Sequence, residues 1–142
     1  MKLKVYIMHS DKTDYINEIY RPLLKMGLMK EYYLILPLSD RYKGTYIKDL
    51  CKDSDVIICD LTKSNFFLNI ELNTAKKLNK KIYYFINCND KNIKKYKNLE
   101  LNKYTDKEEF CLLIKKLLDS LNKNQILLER DNIYPLGKII RK

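Results

Sequence analysis

Glu71 is the residue whose type and spacing most directly predict chemistry. It follows Leu68 by three residues and precedes Ala75 and Leu78 by four and seven, so in a helix all four lie on one face. Its carboxylate then points to an apolar interior, where desolvation is costly unless the group is paired or functional. The competing interpretation is a first-turn glutamate that faces water and is stabilised by the helix dipole. The pattern alone favours neither interpretation.

Other polar side chains come directly after the apolar segments of the chain. They stand in four short groups, His9-Ser10, Leu38-Ser39-Asp40, Asp60-Leu61-Thr62 and Asn87-Cys88-Asn89. If those segments are parallel strands, the groups meet at the carboxyl edge of a sheet, where folds of this kind bind their ligands. Glu71 lies about one turn into its helix, so we expect it at the mouth of the same crevice.

The elements that position these groups alternate between short apolar runs and helical spacing. Strands are predicted at residues 4–8, 32–36, 55–60 and 81–86, with a brief fifth strand near residues 99–101. Helices are predicted at residues 14–27, divided by Pro22, at 46–52, at 67–78, and behind a capping box, Thr105-Asp106-Lys107-Glu108. This alternation predicts a single flavodoxin-like, Rossmann-like doubly wound α/β domain with a mainly parallel five-stranded sheet. Residues 5–8 and 56–59 are continuously apolar and are the expected central neighbours.

Size and composition match one ordinary globular domain, with 142 residues of which 46% are apolar and 32% charged. We expect an α/β domain over residues 1–124 and a tail over residues 125–142 that packs on the body or on a partner chain. No apolar run is long enough for a membrane span and no cleavable leader is evident, so a cytoplasmic protein is expected. The four cysteines form no CxxC pair, which predicts buried free thiols rather than a zinc site or disulfides. Neither a metal nor a cofactor is expected.

The net charge of +10 raises the question of nucleic-acid binding, but only four of the 28 basic residues are arginines. Arginine is the residue that recognises phosphates and guanine edges in a bidentate manner. The lysines are spread over the chain and form no single block. Specific nucleic-acid recognition is therefore not expected, although a positive field raises the local concentration of anionic small molecules such as nucleotides.

Four segments together resemble a known family. Residues 4–10, 15–23, 55–62 and 64–75 are similar to the nucleoside 2-deoxyribosyltransferase superfamily, in particular to its short bacterial members. Within them, Asn69-Ile70-Glu71-Leu72-Asn73-Thr74-Ala75 resembles the family stretch G-I-E-L-G-x-A, whose glutamate is the nucleophile. The resemblance implies that Glu71 attacks the anomeric carbon of a ribose or deoxyribose. It covers roughly residues 3–90, and related folds such as Toll/interleukin-receptor (TIR) domains also place a glutamate near an N-glycosidic bond.

The chain departs from the family pattern around this glutamate. Asn69 and Asn73 replace the two glycines of the stretch, and Phe66 and Phe67 occupy the glycine-rich approach to it. Asn65 stands where the transferases have an acidic residue that helps to hold the sugar. These replacements leave open whether the chain transfers the sugar, hydrolyses the bond or only binds a ligand.

Retaining cleavage of an N-glycosidic bond needs a carboxylate nucleophile and an acid for the leaving base. Glu71 is assigned to the first role, and Asp60 is the second expected catalytic residue. Asp60 and Asp40 are both candidates for holding the sugar or protonating the base. The expected substrate-binding set consists of His9, Ser10, Asp40, Thr62 and Asn65.

The leading hypothesis is an enzyme, a transferase or hydrolase, that acts on the N-glycosidic bond of a nucleoside or nucleotide. The first alternative is a non-catalytic module that binds a nucleotide or an ADP-ribose-like ligand. The second is a TIR-like NAD glycohydrolase. In the family that the chain resembles, a neighbouring subunit completes the active site, so we also expect a homo-oligomer.

Overall fold

The computed structural model describes residues 2–39, 41 and 44–133, with side chains described up to residue 123. Asp40, one of the expected sugar-binding residues, lies outside the described residues, as does the end of the chain after Ile133. Within the described part, no helix is long and apolar enough to cross a membrane.

A parallel sheet with strand order β2-β1-β3-β4-β5 forms the centre of the protein. The strands are β1 Lys4–His9, β2 Tyr33–Ile35, β3 Val56–Asp60, β4 Ile82–Asn87 and β5 Leu101–Tyr104. The helices are α1 Arg21–Lys25, α2 Ile47–Asp53, α3 Phe66–Lys77 and α4 Lys107–Ile133, with a π-helical segment at Ile16–Tyr20 and 3-10 segments at Leu28–Lys30 and Ile93–Tyr96. This order is the flavodoxin-like, doubly wound arrangement. The fold class expected from the sequence is therefore confirmed.

The two most apolar strands, β1 and β3, are central neighbours as expected. They pair in parallel register from Val5 opposite Val56 to His9 opposite Asp60. Every residue of β3 is buried, as is every residue of β1 after Lys4, because helices cover both faces of the sheet. The side chains alternate between the two faces, and a separate apolar cluster fills each side.

Each face of the sheet has its own helices. One cluster joins Val5, Ile7 and Ile58 to side chains of α1 and α4, and the other joins Tyr6, Met8 and Cys59 to side chains of α2 and α3. The segment after β1 therefore turns to the opposite side of the sheet from the segment after β3. The crevice between these two diverging segments lies at the carboxyl ends of β1 and β3, where the strand order reverses.

Local sequence features explain where the first helical region divides. Pro22 lacks a backbone N–H and cannot continue a regular helix, and the chain changes at this point from the π-helical segment Ile16–Tyr20 to α1. Gly27 then adopts a positive φ of 77°, which ends the region as expected for a left-handed cap. The predicted division at Pro22 is confirmed.

Two predicted positions near the carboxyl end of the chain are shifted. The fifth strand occupies Leu101–Tyr104 rather than residues 99–101. The capping interaction of α4 is shifted by one residue, because the Glu109 N–H donates to Asp106 Oδ1 at 2.9 Å while the Thr105 N–H donates to Glu109 Oε1 at 2.6 Å. Asp106 rather than Thr105 therefore caps the first turn, and Glu109 rather than Glu108 returns the contact.

The predicted boundary after residue 124 falls within α4, whose backbone continues without interruption to Ile133. The cysteines of the core agree with the sequence interpretation, since Cys51, Cys59 and Cys111 are free and buried, while Cys88 is half-buried.

Candidate active site

The candidate site lies where the strand order reverses, at the carboxyl ends of β1 and β3. His9 and Asp60 are register partners at these ends, and both side chains are buried. Ser10, the residue after His9, is 1% exposed. The α3 helix begins six residues after Asp60 and brings Glu71 to the α2-and-α3 side of the same edge.

Glu71 is half-buried on the face of α3 that packs against the sheet. Leu68 and Ala75, on the same stripe, are fully buried, so the inward orientation expected from their spacing is confirmed. Burial raises the pKa of the Glu71 carboxyl from 4.5 to about 7, and the negative charge of Asp11 adds to the rise. Among the described residues, none donates a hydrogen bond to this carboxylate. Glu71 is thus a partly desolvated carboxylate that the protein leaves unpaired.

The negative charge of Glu71 affects the pKa values of two nearby tyrosine hydroxyls. Burial and then the charge of Glu71 raise the pKa of the Tyr6 hydroxyl far above its ordinary value. Glu71 also contributes to the raised pKa of the Tyr20 hydroxyl, for which burial is the main cause. Both hydroxyls stay protonated at neutral pH, and the Tyr6 hydroxyl is a potential hydrogen-bond donor. Tyr6 Oη is buried without a hydrogen-bond partner, and it is the one such side-chain atom in the described part.

Asp11 and Asn65 join the two sides of the crevice. Asn65 caps α3, with its side-chain oxygen accepting the Leu68 N–H at 3.0 Å, and its Nδ2 donates to Asp11 Oδ1 at 2.8 Å. The first contact fixes the orientation of the Asn65 amide. Asp11 is exposed, and no other hydrogen bond to it is formed within the described residues. The segment after β1 is therefore tied to the start of α3, the helix that carries Glu71.

Asp60, the other expected catalytic carboxylate, belongs to a closed hydrogen-bond network. Thr62 donates to Asp60 Oδ1 through its hydroxyl at 2.7 Å and its backbone N–H at 3.2 Å. Tyr104, at the end of β5, donates its hydroxyl to Asp60 Oδ2 at 2.9 Å. Complete burial raises the pKa of Asp60 from 3.8 to about 6, and these three donors oppose the rise. Both oxygens of Asp60 are used to hold the ends of β3 and β5 together.

His9 is also held by contacts within the protein. Its Nδ1 lies 3.0 Å from the Ser10 carbonyl oxygen, which can only accept, so Nδ1 carries the proton. Nε2 then accepts the Tyr20 hydroxyl proton at 2.7 Å, and the Tyr20 oxygen accepts the Leu38 N–H at 3.1 Å. Tyr15 stacks on the imidazole at 4.9 Å between ring centroids. Burial lowers the pKa of His9, so the ring is neutral at pH 7 with no free nitrogen.

Two further expected substrate-binding residues make local contacts. Ser10 Oγ accepts the Lys12 N–H at 3.0 Å and shapes the turn that follows β1. Thr62 Oγ1 accepts the Asn87 N–H at 2.9 Å in addition to its contact with Asp60. The expected residues therefore separate into two groups. Glu71 and Asn65 face the crevice together with Asp11, whereas His9, Ser10, Asp60 and Thr62 support its edge.

Sequence reasoning did not assign a role to Asp11, and it gave Tyr6 and Tyr20 no special weight. Asp11 had one available signal, because it is the acidic residue that directly follows the His9-Ser10 strand end. Tyr6 stands inside an apolar strand, where an aromatic residue is ordinary core material. Only the packing of α3 on β1 shows that its hydroxyl is buried near a carboxylate.

Two concave regions flank the carboxyl edge on the α1-and-α4 side of the sheet. The smaller, of about 470 Å³, is lined by Asp60, Thr62, Tyr104 and the start of α4. The larger, of about 730 Å³, lies between α1 and α4 and includes Arg21 and Leu112. Glu71 lines neither region, since α3 packs on the other face. Glu71 therefore lies outside both regions, on the side of the sheet covered by α2 and α3.

No protein-family model matches the chain, and no curated protein matches it by sequence. Solved structures nevertheless share its fold. The Clostridium botulinum CMP N-glycosidase BcmB matches with a TM-score of 0.51 over 79% of this chain and 98% of its own, at 17% sequence identity. The TIR domains of the activated Roq1 resistosome, which recognises the pathogen effector XopQ, match with a TM-score of 0.51 over 89% of this chain and 78% of theirs, at 11% identity. At these identities the likeness shows a common fold.

Proposed function

We propose that this protein cleaves the N-glycosidic bond of a nucleoside or nucleotide, with Glu71 as the nucleophile. The observation that carries the proposal is the Glu71 carboxylate, which is half-buried, unpaired among the described residues and adjacent to the reversal in strand order. Such a carboxylate destabilises the folded state, and groups with perturbed pKa values cluster at functional sites. The fold shared with a protein described as a CMP N-glycosidase supports the same class of reaction.

The proposed reaction has two steps. A Glu71 carboxylate oxygen attacks the anomeric carbon while the bond from that carbon to the base nitrogen breaks, and the bonding electron pair leaves with the base. The base takes up a proton from solvent and departs. Water then attacks the glycosyl ester, which releases the sugar and regenerates the carboxylate. A second base in place of water would give transfer instead of hydrolysis.

The residues around Glu71 have supporting roles in this scheme. The protonated Tyr6 hydroxyl, which lacks a partner in the described protein, is available to hydrogen-bond the carboxylate or the sugar. Asp60 acts at a distance by fixing the ends of β3 and β5, so it is a positioning residue in this proposal. Asn65 holds α3 in place through its cap.

The test is release of free base from a panel of ribonucleosides, deoxynucleosides, their 5′-monophosphates and NAD. Wild type and Glu71→Gln are assayed side by side, because glutamine keeps the shape of the side chain and removes its charge. Glu100→Gln, a change at an exposed glutamate before β5, is the matched control. We expect the Glu71 variant to lose at least about 100-fold in turnover, a loss of about 2.7 kcal/mol in transition-state stabilisation. Equal rates for wild type and the Glu71 variant would eliminate Glu71 as the nucleophile.

A second candidate function is cleavage of the nicotinamide–ribose bond of NAD. The specific observation in its favour is the match to TIR domains, which covers 89% of this chain. The same nucleophile would serve, since this bond is also N-glycosidic. Nicotinamide release without base release from any nucleoside would select this candidate over the first.

A further inference from the structure

Asp11, on the segment after β1, carries the negative charge that faces Glu71 across the crevice. Asp11 Oδ1 accepts a hydrogen bond from the capping residue of α3, and its second oxygen has no partner among the described residues. Asp11 is exposed, so this oxygen is open to a ligand. A carboxylate is an acceptor only, and it selects partners that carry hydroxyl or amino donors.

The start of α3 is the place where a phosphate would ordinarily bind, because backbone N–H groups and the helix dipole favour an anion there. In this protein the Leu68 N–H is already bonded to Asn65, and Asn65 in turn binds Asp11. The first turn also carries two exposed aromatic side chains, Phe66 and Phe67, at 71% and 67% exposure. The negative charge at this helix terminus is thus supplied by Asp11.

The charges near Glu71 also disfavour a bound phosphate. After burial, the negative charge of Asp11 is the second cause of the raised pKa of the Glu71 carboxyl, and its effect is repulsive. Lys115 pairs with Glu31 and Asp119, and with neither Asp11 nor Glu71. The overall charge of +10 attracts all anions from a distance. Within the crevice, the Asp11 carboxylate repels a bound phosphate at short range, as does Glu71 when it is ionised.

We propose that Asp11 is a specificity-determining residue that binds a sugar hydroxyl of the substrate and disfavours a 5′-phosphate, so that the preferred substrates are uncharged nucleosides. This inference rests on the proposed function at Glu71. It separates this chain from the CMP N-glycosidase of the same fold, since CMP carries a phosphate. The free oxygen of the Asp11 carboxylate accepts a hydrogen bond from the sugar hydroxyl. The negative charge of the same carboxylate repels the 5′-phosphate.

The test compares kcat/KM for each nucleoside with that for its own 5′-monophosphate, for all bases that wild type cleaves. We expect wild type to prefer the nucleoside by about tenfold or more at low salt, and the preference to narrow as salt screens the charge. Asp11→Asn retains an acceptor for Asn65 but removes the charge. It should therefore bring the ratio of kcat/KM for the nucleoside to kcat/KM for the monophosphate several-fold closer to one. Asp53→Asn, at the end of α2 near the opposite edge of the sheet, is the matched control and should leave the ratio unchanged.

A preference of wild type for monophosphates would overturn the proposal, as would an Asp11→Asn ratio equal to that of wild type. Circular dichroism checks that the variant is folded, and Asp11→Glu, which restores the charge, should recover part of the preference. If no substrate is cleaved, the proposed reaction fails separately, and calorimetric titration with a nucleoside and its monophosphate takes the place of kinetics. Tighter binding of the nucleoside by wild type but not by Asp11→Asn would then sustain the role of Asp11, and any other binding result would refute it.

Discussion

Replacing Glu71 by glutamine should make the protein more stable at alkaline pH while it removes activity. The folded chain raises the pKa of this carboxyl from 4.5 to about 7. Between these values the unfolded chain has lost the proton that the folded chain retains, so the free energy of unfolding falls as pH rises. Below pH 4.5 the carboxyl is protonated in both states and has no effect, and above pH 7 the full penalty applies.

The size of the penalty follows from the difference between the two pKa values. A rise from 4.5 to about 7 corresponds to at most about 3.5 kcal/mol, at roughly 1.4 kcal/mol per pH unit. Because Glu71 is only half-buried, solvent screening reduces this to about 1–2 kcal/mol. Glutamine avoids the penalty because it does not ionise. For a chain of this length the gain corresponds to an increase in Tm of about 3–8 °C.

The assay is urea unfolding of wild type and Glu71→Gln at pH 4, 6 and 8. We expect the variant to be about as stable as wild type at pH 4 and more stable at pH 8, with pH 6 between them. A variant that is destabilised by the same amount at all three values would show that Glu71 is not a desolvated carboxylate. Asp60→Asn is the informative contrast, because the amide oxygen can replace only one of the two carboxylate oxygens, and the NH2 group then meets either the Thr62 or the Tyr104 hydroxyl that donates to Asp60 in wild type. We expect it to lose about 1–3 kcal/mol at pH 8.

Four further predictions concern the pH dependence of activity, the Tyr6 hydroxyl, assembly and DNA binding. For wild type, kcat/KM should rise with pH up to about 7, because ionised Glu71 is the reactive form; a flat profile between pH 5 and 8 would contradict this. Tyr6→Phe removes a buried hydroxyl without a partner, so it should cost little or no stability in thermal melts yet lower turnover; unchanged turnover would mean that the hydroxyl has no part in the reaction. Light scattering should show a homo-oligomer, and truncation after Asn124 should weaken both assembly and activity, whereas a monomer at high micromolar concentration would refute the assembly. Duplex DNA should bind weakly at physiological salt. Of the four lysines between the end of α3 and the start of β4 (Lys76, Lys77, Lys80 and Lys81), two are already engaged, Lys80 with the Lys52 and Ser54 carbonyls and Lys81 with the Tyr83 ring. Tight binding in a filter assay would refute this prediction.

Strands and helices that depend on residues close together in the chain were predicted well from the sequence. The apolar runs of β1 and β3 predicted both their burial and their pairing, because a strand covered on both faces has to be apolar throughout. The helical period placed Glu71 on the apolar stripe of α3, but it left open whether the carboxylate faces the interior or water. The start of α4 was wrong by one residue because Thr105 and Asp106 are both good caps, and only the backbone geometry distinguishes between them.

The roles of the site residues depend on partners that are distant in the chain. His9 looked like a possible ligand-binding residue until Tyr20, Tyr15 and the Ser10 carbonyl were seen to surround its ring. Asp60 looked like a catalytic acid at a strand end, yet both of its oxygens bind Thr62 and Tyr104. In neither case does the local sequence distinguish a free polar side chain from one that is already hydrogen-bonded.

The sequence by itself determined the doubly wound fold, the edge of the sheet that carries the polar groups and the place of Glu71 on the apolar stripe of its helix. Those properties follow from periodicity and from the order of the elements, which short stretches of chain already contain. Only the tertiary structure decided which carboxylate stands beside Glu71, because Asp11 and Asn65 are 54 residues apart and meet only when α3 packs against β1. The same packing removes water from Glu71 and raises its pKa, so the perturbed ionisation of this side chain is a property of the folded molecule.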